Sequence, residues 1–182
     1  MTKAELRTLY LNKRKVLSEQ EVVDGNASIM EQLQQLDFTE LKVIHLYLPI
    51  AHHREVDLWN FIHWLWATHP HVKTVVPKCD FKTREMKSCL LTEETKLATD
   101  NFGIPEPIDE IIIDNLAIDL VITPLVICDK QGHRVGYGKG FYDKFFIQCR
   151  ANVQKIGVGF FPPIESISDV HAGDVELDNY IH

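Results

Sequence analysis

Leu120-Val-Ile-Thr123 is a short β-rich run whose aliphatic residues follow one another without alternating with polar ones. A strand that reads this way is buried on both faces. Helices laid over both sides of a sheet meet that demand. The rest of the chain agrees. β-rich runs at Val43–Leu48, Thr74–Val76, Lys87–Leu91 and Lys155–Phe160 are separated by stretches of helical or turn character. Strands alternating with helices imply crossover connections and parallel pairing. The expected architecture is a three-layer α/β fold with a mostly parallel central sheet flanked by helices.

A chain of 182 residues fits one domain spanning residues 1–182. A domain of about 150 residues buries roughly 68–70% of its unfolded surface, so the chain needs no disulfide or metal to hold a core. With 45% hydrophobic and 25% charged residues it is neither disordered nor fibrous. The net charge of −7 excludes a general nucleic-acid binder, whose affinity rests on neutralising phosphates. No membrane partner is expected. The longest charge-free stretch, Leu58–Val72, is interrupted by three histidines and a proline. Cys79, Cys89, Cys128 and Cys149 show no Cys-x-x-Cys spacing and sit beside apolar runs. They read as reduced, partly buried thiols of a cytoplasmic protein.

Thr2 with Glu5, and Ser18 with Glu21, have capping-box spacing and open two helices. The first carries five bases against one acid up to Lys15. Its apolar stripe is read as Leu6, Leu9, Val16 and Leu17, with Lys3, Arg7 and Arg14 on a shared, roughly opposite face. The second holds Val22, Ile29, Leu33 and Leu36 inside. Asp57 is expected to cap a third helix with core positions Leu58, Phe61, Ile62 and Leu65. Pro77 is expected to end the Thr74–Val76 strand, Thr92–Lys96 to form a short helix or turn, and Phe141–Arg150 to be a helix.

The strongest local feature is Arg134-Val-Gly-Tyr-Gly-Lys-Gly-Phe-Tyr-Asp143. Alternate glycines let a backbone turn tightly and approach a ligand. The helix that follows directs free N–H groups at the loop, a natural phosphate seat. Arg134 and Lys139 add fixed positive charge. The Walker A pattern needs Ser or Thr where Gly140 stands, and the dinucleotide pattern needs glycine where Phe141 stands. Asp143 and Asp174 are candidate magnesium ligands, since magnesium takes one or two carboxylates with waters and phosphates. A helix cap and a surface turn are the plain alternatives for these two. Glu55 lies in the loop after the first strand, where ligands of open α/β sheets collect. No zinc spacing, metalloprotease element or nucleophile elbow is present among the nine histidines and the serines.

Together these pieces resemble the 5-formyltetrahydrofolate cyclo-ligase family. The matches are Lys3-Ala-Glu-Leu-Arg7 followed by Arg14, Tyr47-Leu48-Pro49 followed by Glu55-Val56-Asp57, Phe102–Pro107, Arg134–Asp143, and His171-Ala-Gly-Asp174 through Asp178. The resemblance implies a Rossmann-like fold in a cytoplasmic monomer. It also implies ATP- and Mg2+-dependent conversion of a reduced folate, 5-formyltetrahydrofolate, to 5,10-methenyltetrahydrofolate. By motif, Lys3, Arg7, Arg134, Gly136, Tyr137, Gly138, Lys139, Gly140, Phe141 and Tyr142 would hold the nucleotide. Arg134, Lys139 and Tyr142 would be catalytic. Leu48, Glu55, Tyr137, Gly138 and Phe141 would contact the folate, and Asp143 and Asp174 the metal. The chain departs from the family pattern at Phe141, where tyrosine is commonest, and at Gly159–Pro163, which lacks a glutamine. The Ile50–Arg54 loop, with His52 and His53, is also unusual. Two other readings stand beside this one: a phosphate-ligand binding module without turnover, and an ATP-dependent ligase for a different formyl or carboxyl substrate.

Overall fold

A computed structural model describes residues 1–100 and 103–182. Phe102, the first residue of the central signature read from the sequence, lies outside the described residues. The chain opens with α1 (Lys3–Lys15) and α2 (Glu19–Gln34), then β1 (Val43–His45), α3 (Trp59–Thr68) and the hairpin of β2 (Lys73–Asp80) with β3 (Glu85–Leu91). Short strands β4 (Leu97–Thr99), β5 (Pro105–Pro107) and β6 (Ile112–Ile113) lead to β7 (Leu120–Pro124). β8 (Ile127–Cys128) and β9 (Arg134–Val135) precede α4 (Phe141–Gln148), β10 (Gln154–Val158) and β11 (Asn179–Ile181).

Seven strands form the central sheet in the order β11-β10-β7-β1-β2-β3-β6. The pairs from β11 across to β2 are parallel; the pairs β2–β3 and β3–β6 are antiparallel. The mostly parallel α/β reading therefore holds. Leu120, Val121, Ile122 and Thr123 are each at most 1% exposed, as two-faced burial requires. Ile44, Leu46, Leu120 and Ile122 face the cluster of Phe61, Ile62 and Leu65 from α3 and Ile29 and Leu33 from α2. Val43, Val75 and Val121 pack with Phe145 and Phe146 of α4 in a second cluster. All four core positions expected in α3 are buried.

Both capping boxes are formed. The stripe read for α1 needs correction. Leu9 is 38% and Val16 81% exposed, whereas Leu6 and Arg14 are each 2% exposed. Tyr10 and Leu11 pack beside Leu6 on the cluster of Val126, Ile127 and Val135. The buried face of α1 is thus set by the β8–β9 region lying against it, and that face includes an arginine. Ile29 and Leu33 line the core as expected, while Val22 and Leu36 are only partly covered.

Pro77 does not end its strand. β2 continues to Asp80, with Pro77 opposite Ser88 of β3. β1 pairs with β2 only as far as Val75, so beyond it the proline's missing N–H leaves no gap on that edge. Thr92–Lys96 is a turn rather than a helix, closed by Thr95 N–H donating to Thr92 at 3.1 Å. α4 stops at Gln148, two residues short of the expected end. Asp57 accepts from Trp59 N–H at 2.9 Å, one position before the N-cap residue Leu58. Three cysteines are buried, Cys79 is partly buried, and all four are free. No helix among the described residues is long and apolar enough to cross a membrane.

Candidate active site

The loop between β9 and α4 is where most of the candidates meet. Gly138 has φ +84° and Gly140 φ +70°, conformations that side-chain-bearing residues rarely adopt. Gly140 is the N-cap of α4, so the left-handed turn delivers the chain into the helix with its first N–H groups facing the loop. A Cβ built on Gly138 would sit 3.2 Å from the Arg7 guanidinium carbon. Arg7 Nε donates to the Gly136 carbonyl at 2.6 Å, which ties α1 to the loop.

Arg134 enters from β9. Its Nη2 donates to Asp143 Oδ1 at 2.6 Å, and its Nη1 donates to the Val175 carbonyl. Val175 N–H donates to the same Asp143 oxygen at 3.2 Å. Burial pulls Arg134 below its ordinary pKa, and the charges of Asp143 and Asp174 oppose that pull. Lys3 forms an ion pair with Asp174, whose side chain is 9% exposed. Burial raises the Asp174 carboxyl, yet Lys3, His171 N–H and nearby positive charge outweigh it and leave the pKa lowered. The two carboxylates thus flank one stretch of backbone, each with a cation beside it.

A second group sits where the loop meets the segment after β1. Glu55 is 7% exposed and accepts from Ile50 N–H at 2.7 Å. Burial raises its pKa; Ile50 N–H, the Tyr137 hydroxyl, Arg14 and His52 act against that rise. Tyr137 accepts from Arg14 Nη1 at 3.0 Å, and His53 stacks on its ring at 4.8 Å between centroids. The two histidines of the Ile50–Arg54 loop therefore lie at the edge of this group.

The remaining candidates fall at the margins. Tyr142 buries its hydroxyl with no partner among the described residues. Phe141 packs edge-on against Phe81 of the β2–β3 turn at 5.3 Å. Lys139 is exposed and forms no ion pair among the described residues. Leu48 is buried in the core cluster with Tyr47, Val56 and Leu58. A cavity of about 660 Å³ between Lys42, Lys73, Asp119 and Arg150 lies at the other, amino end of the strands. Its buried carboxylate, Asp119, is already engaged by two backbone N–H groups and Arg150.

The sequence places Arg14 on a basic helix face and in the resemblance of the first helix, but assigns it no role. Its burial and its bond to Tyr137 were not foreseen. The signal available was its seven-residue offset from Arg7, which places both on one side of α1. That spacing does not say which side the loop covers.

The model of the 5-formyltetrahydrofolate cyclo-ligase family matches residues 1–171. The chain belongs to that family. Asp174 lies just beyond the matched span. Among curated relatives, the 5-formyltetrahydrofolate cyclo-ligase of Mycoplasma pneumoniae is 28% identical over 185 residues, covering 100% of this chain and 99% of its own length. That of Haemophilus influenzae is 30% identical over 131 residues, covering 70% of this chain and 64% of its own. The solved 5,10-methenyltetrahydrofolate synthetase of Mycoplasma pneumoniae superposes with a TM-score of 0.78 at 26% identity, covering 100% of this chain and 98% of that one. The Aquifex aeolicus 5,10-methenyltetrahydrofolate synthetase reaches a TM-score of 0.82 at 28% identity, covering 100% and 89%. This cyclo-ligase family member is accordingly an enzyme with the fold of the methenyltetrahydrofolate synthetases.

Proposed function

We propose that the chain converts 5-formyltetrahydrofolate to 5,10-methenyltetrahydrofolate, consuming ATP and releasing ADP and phosphate. The observation that carries this reading is the meeting of two unlike groups on one loop. Gly136 and Gly138, gripped by Arg7, suit a polyphosphate; Tyr137, between them, faces the buried Glu55. One residue of the loop thus reaches toward the nucleotide side and the folate side together.

The chemistry explains the residue types. A formamide oxygen is a poor leaving group. Transfer of the γ-phosphoryl group to it makes one, N10 of the folate attacks the activated carbon, and phosphate departs as the ring closes. No protein nucleophile is needed; alignment and charge stabilisation suffice. Lys3, Arg7 and Arg134 supply fixed positive charge, and the first N–H groups of α4 add to it. Tyr142 lies in the first turn of α4, its buried hydroxyl without a partner among the described residues. Exposed Lys139 is free to fold over bound phosphates.

Asp143 and Asp174 fit Mg2+, a hard cation that takes oxygen ligands and usually one or two carboxylates with the substrate's phosphates. When bound, the ion would neutralise charge on those phosphates. The cations now beside the two carboxylates, Arg134 and Lys3, would then be drawn to the phosphate oxygens. The chain is read as one cytoplasmic domain acting as a monomer.

The test is the near-ultraviolet absorbance of purified protein with 5-formyltetrahydrofolate, ATP and Mg2+. The methenyl product has an extended chromophore that the substrate lacks. An increase that needs both ATP and Mg2+ supports the reading. Absence of any increase while folate still binds would reassign the enzyme to another formyl or carboxyl substrate.

A further inference from the structure

Arg14 is 2% exposed and forms no ion pair with a carboxylate among the described residues. Its Nη2 donates to the Leu125 carbonyl and its Nη1 to the Tyr137 hydroxyl at 3.0 Å, while Nε has no partner among the described residues. A guanidinium taken out of water without a counter-charge is unfavourable unless its field is used nearby. A buried acid that feels its charge is Glu55, 7% exposed, which also interacts with the same tyrosine. The hydroxyl of Tyr137 accepts from Arg14, and Tyr137 also interacts electrostatically with the buried Glu55 carboxylate. Glu55 is fixed from its other side by Ile50 N–H at 2.7 Å.

We propose that Arg14 is a positioning residue, which through the Tyr137 hydroxyl holds the Glu55 carboxylate in place on the folate side of the site. The chain of contacts joins three segments: α1, the glycine loop and the segment after β1. A hydroxyl that receives a hydrogen bond from a cation becomes a better donor in turn, so the Arg14 contact primes Tyr137 to donate toward Glu55. The contact also fixes the Tyr137 ring, whose face is covered by His53 at 4.8 Å. Every charged or titratable group acting on Glu55 bears on the outcome: Arg14 from α1, His52 from the loop before it, and the phenols Tyr47, Tyr137 and Tyr142. Of these, Arg14 carries a permanent charge and is hydrogen-bonded to Tyr137, which also acts on Glu55.

The proposal rests on the cyclo-ligase reading for its kinetic consequence but not for its structural one, so two measurements separate them. The first is a 13C NMR titration of the Glu55 side-chain carboxyl in the full chain, which needs no turnover. Arg14→Met and Tyr137→Phe should each move the Glu55 midpoint upward by about one pH unit, equivalent to tenfold in its ionisation equilibrium. Arg14→Lys, which keeps the charge but loses the forked geometry, should restore part of the shift. The second is steady-state kinetics, in which Arg14→Lys should raise KM for 5-formyltetrahydrofolate about tenfold while KM for ATP stays within about twofold. A Glu55 midpoint unchanged in both Arg14 variants overturns the proposal whatever the enzyme's substrate. A shifted midpoint with an equal rise in both KM values also overturns it, since Arg14 would then be a general support of α1. If wild-type protein shows no turnover, the functional reading fails and the titration alone decides the role of Arg14. Arg14→Lys keeps the test open if Arg14→Met does not fold.

Discussion

Arg7 Nε donates to the carbonyl oxygen of Gly136 at 2.6 Å, joining the first helix to a loop 129 residues further along the chain. The bond spends one donor of a guanidinium that has five, and in the proposed function the rest serve phosphate oxygens. Arg7→Ala removes the anchor and the charge together. A hydrogen bond to a charged group contributes about 1.5–3 kcal/mol, so KM for ATP should rise about tenfold or more. KM for the folate should change much less. Equal changes in both would show that Arg7 only holds the loop.

Gly138 faces Arg7 and tests the same contact from the other side. Its φ of +84° disfavours any Cβ, and an added methyl would lie 3.2 Å from the guanidinium carbon. Gly138→Ala should lower stability by about 1–2 kcal/mol through the left-handed backbone alone. It should also push Arg7 outward and weaken ATP use. A urea melt with an unchanged midpoint would contradict the strained conformation.

Arg134 and Asp143 form a pair of unequal burial, with side chains 7% and 32% exposed. Removing the arginine leaves the Val175 carbonyl and the Asp143 carboxylate each one donor short. Arg134→Ala should destabilise the fold by about 2 kcal/mol, below the range for fully buried pairs because water can reach Asp143. It should impair ATP use more than folate binding. Asp143→Asn keeps the shape and drops the charge, so it should raise the Mg2+ concentration giving half-maximal rate by roughly tenfold or more. An unaltered Mg2+ dependence assigns Asp143 a purely structural part in holding Arg134.

Much of this could be seen in the sequence. The unalternating β7 run and the two capping boxes at Thr2 and Ser18 follow from local chemistry, and the structure bears them out. The Arg134–Asp143 loop was recognisable from its glycines and charges. What could not be read was which side of α1 the loop would cover. Leu9 and Val16 look like core residues and Arg14 like a surface one, because periodicity reports a face and not what packs on it. β4, β5, β6, β8, β9 and β11 escape the sequence reading because two or three residues give no measurable period. Pro77 misled because a proline's effect on a strand depends on whether a neighbour needs its N–H, and that is set by distant pairing.

His45 illustrates a cost that only the fold exposes. It sits in the middle strand β1 at 0% exposure, its ring 4.6 Å from that of Phe145, and neither ring nitrogen has a partner among the described residues. Burial pulls its pKa from 6.5 to about 3. The folded state therefore binds the proton more weakly than the unfolded chain does. The stability associated with the neutral ring is fully present above pH 6.5 and is lost as pH falls from there toward 3. Across that window the gradient from this one group approaches ~1.4 kcal/mol per pH unit. His45→Leu, close in volume, removes the titration and the two unpartnered nitrogens. Its urea midpoint should exceed that of the wild type at pH 5 by more than it does at pH 7.5. A pH-independent difference between the two proteins would show that His45 finds a partner for its proton in the folded state.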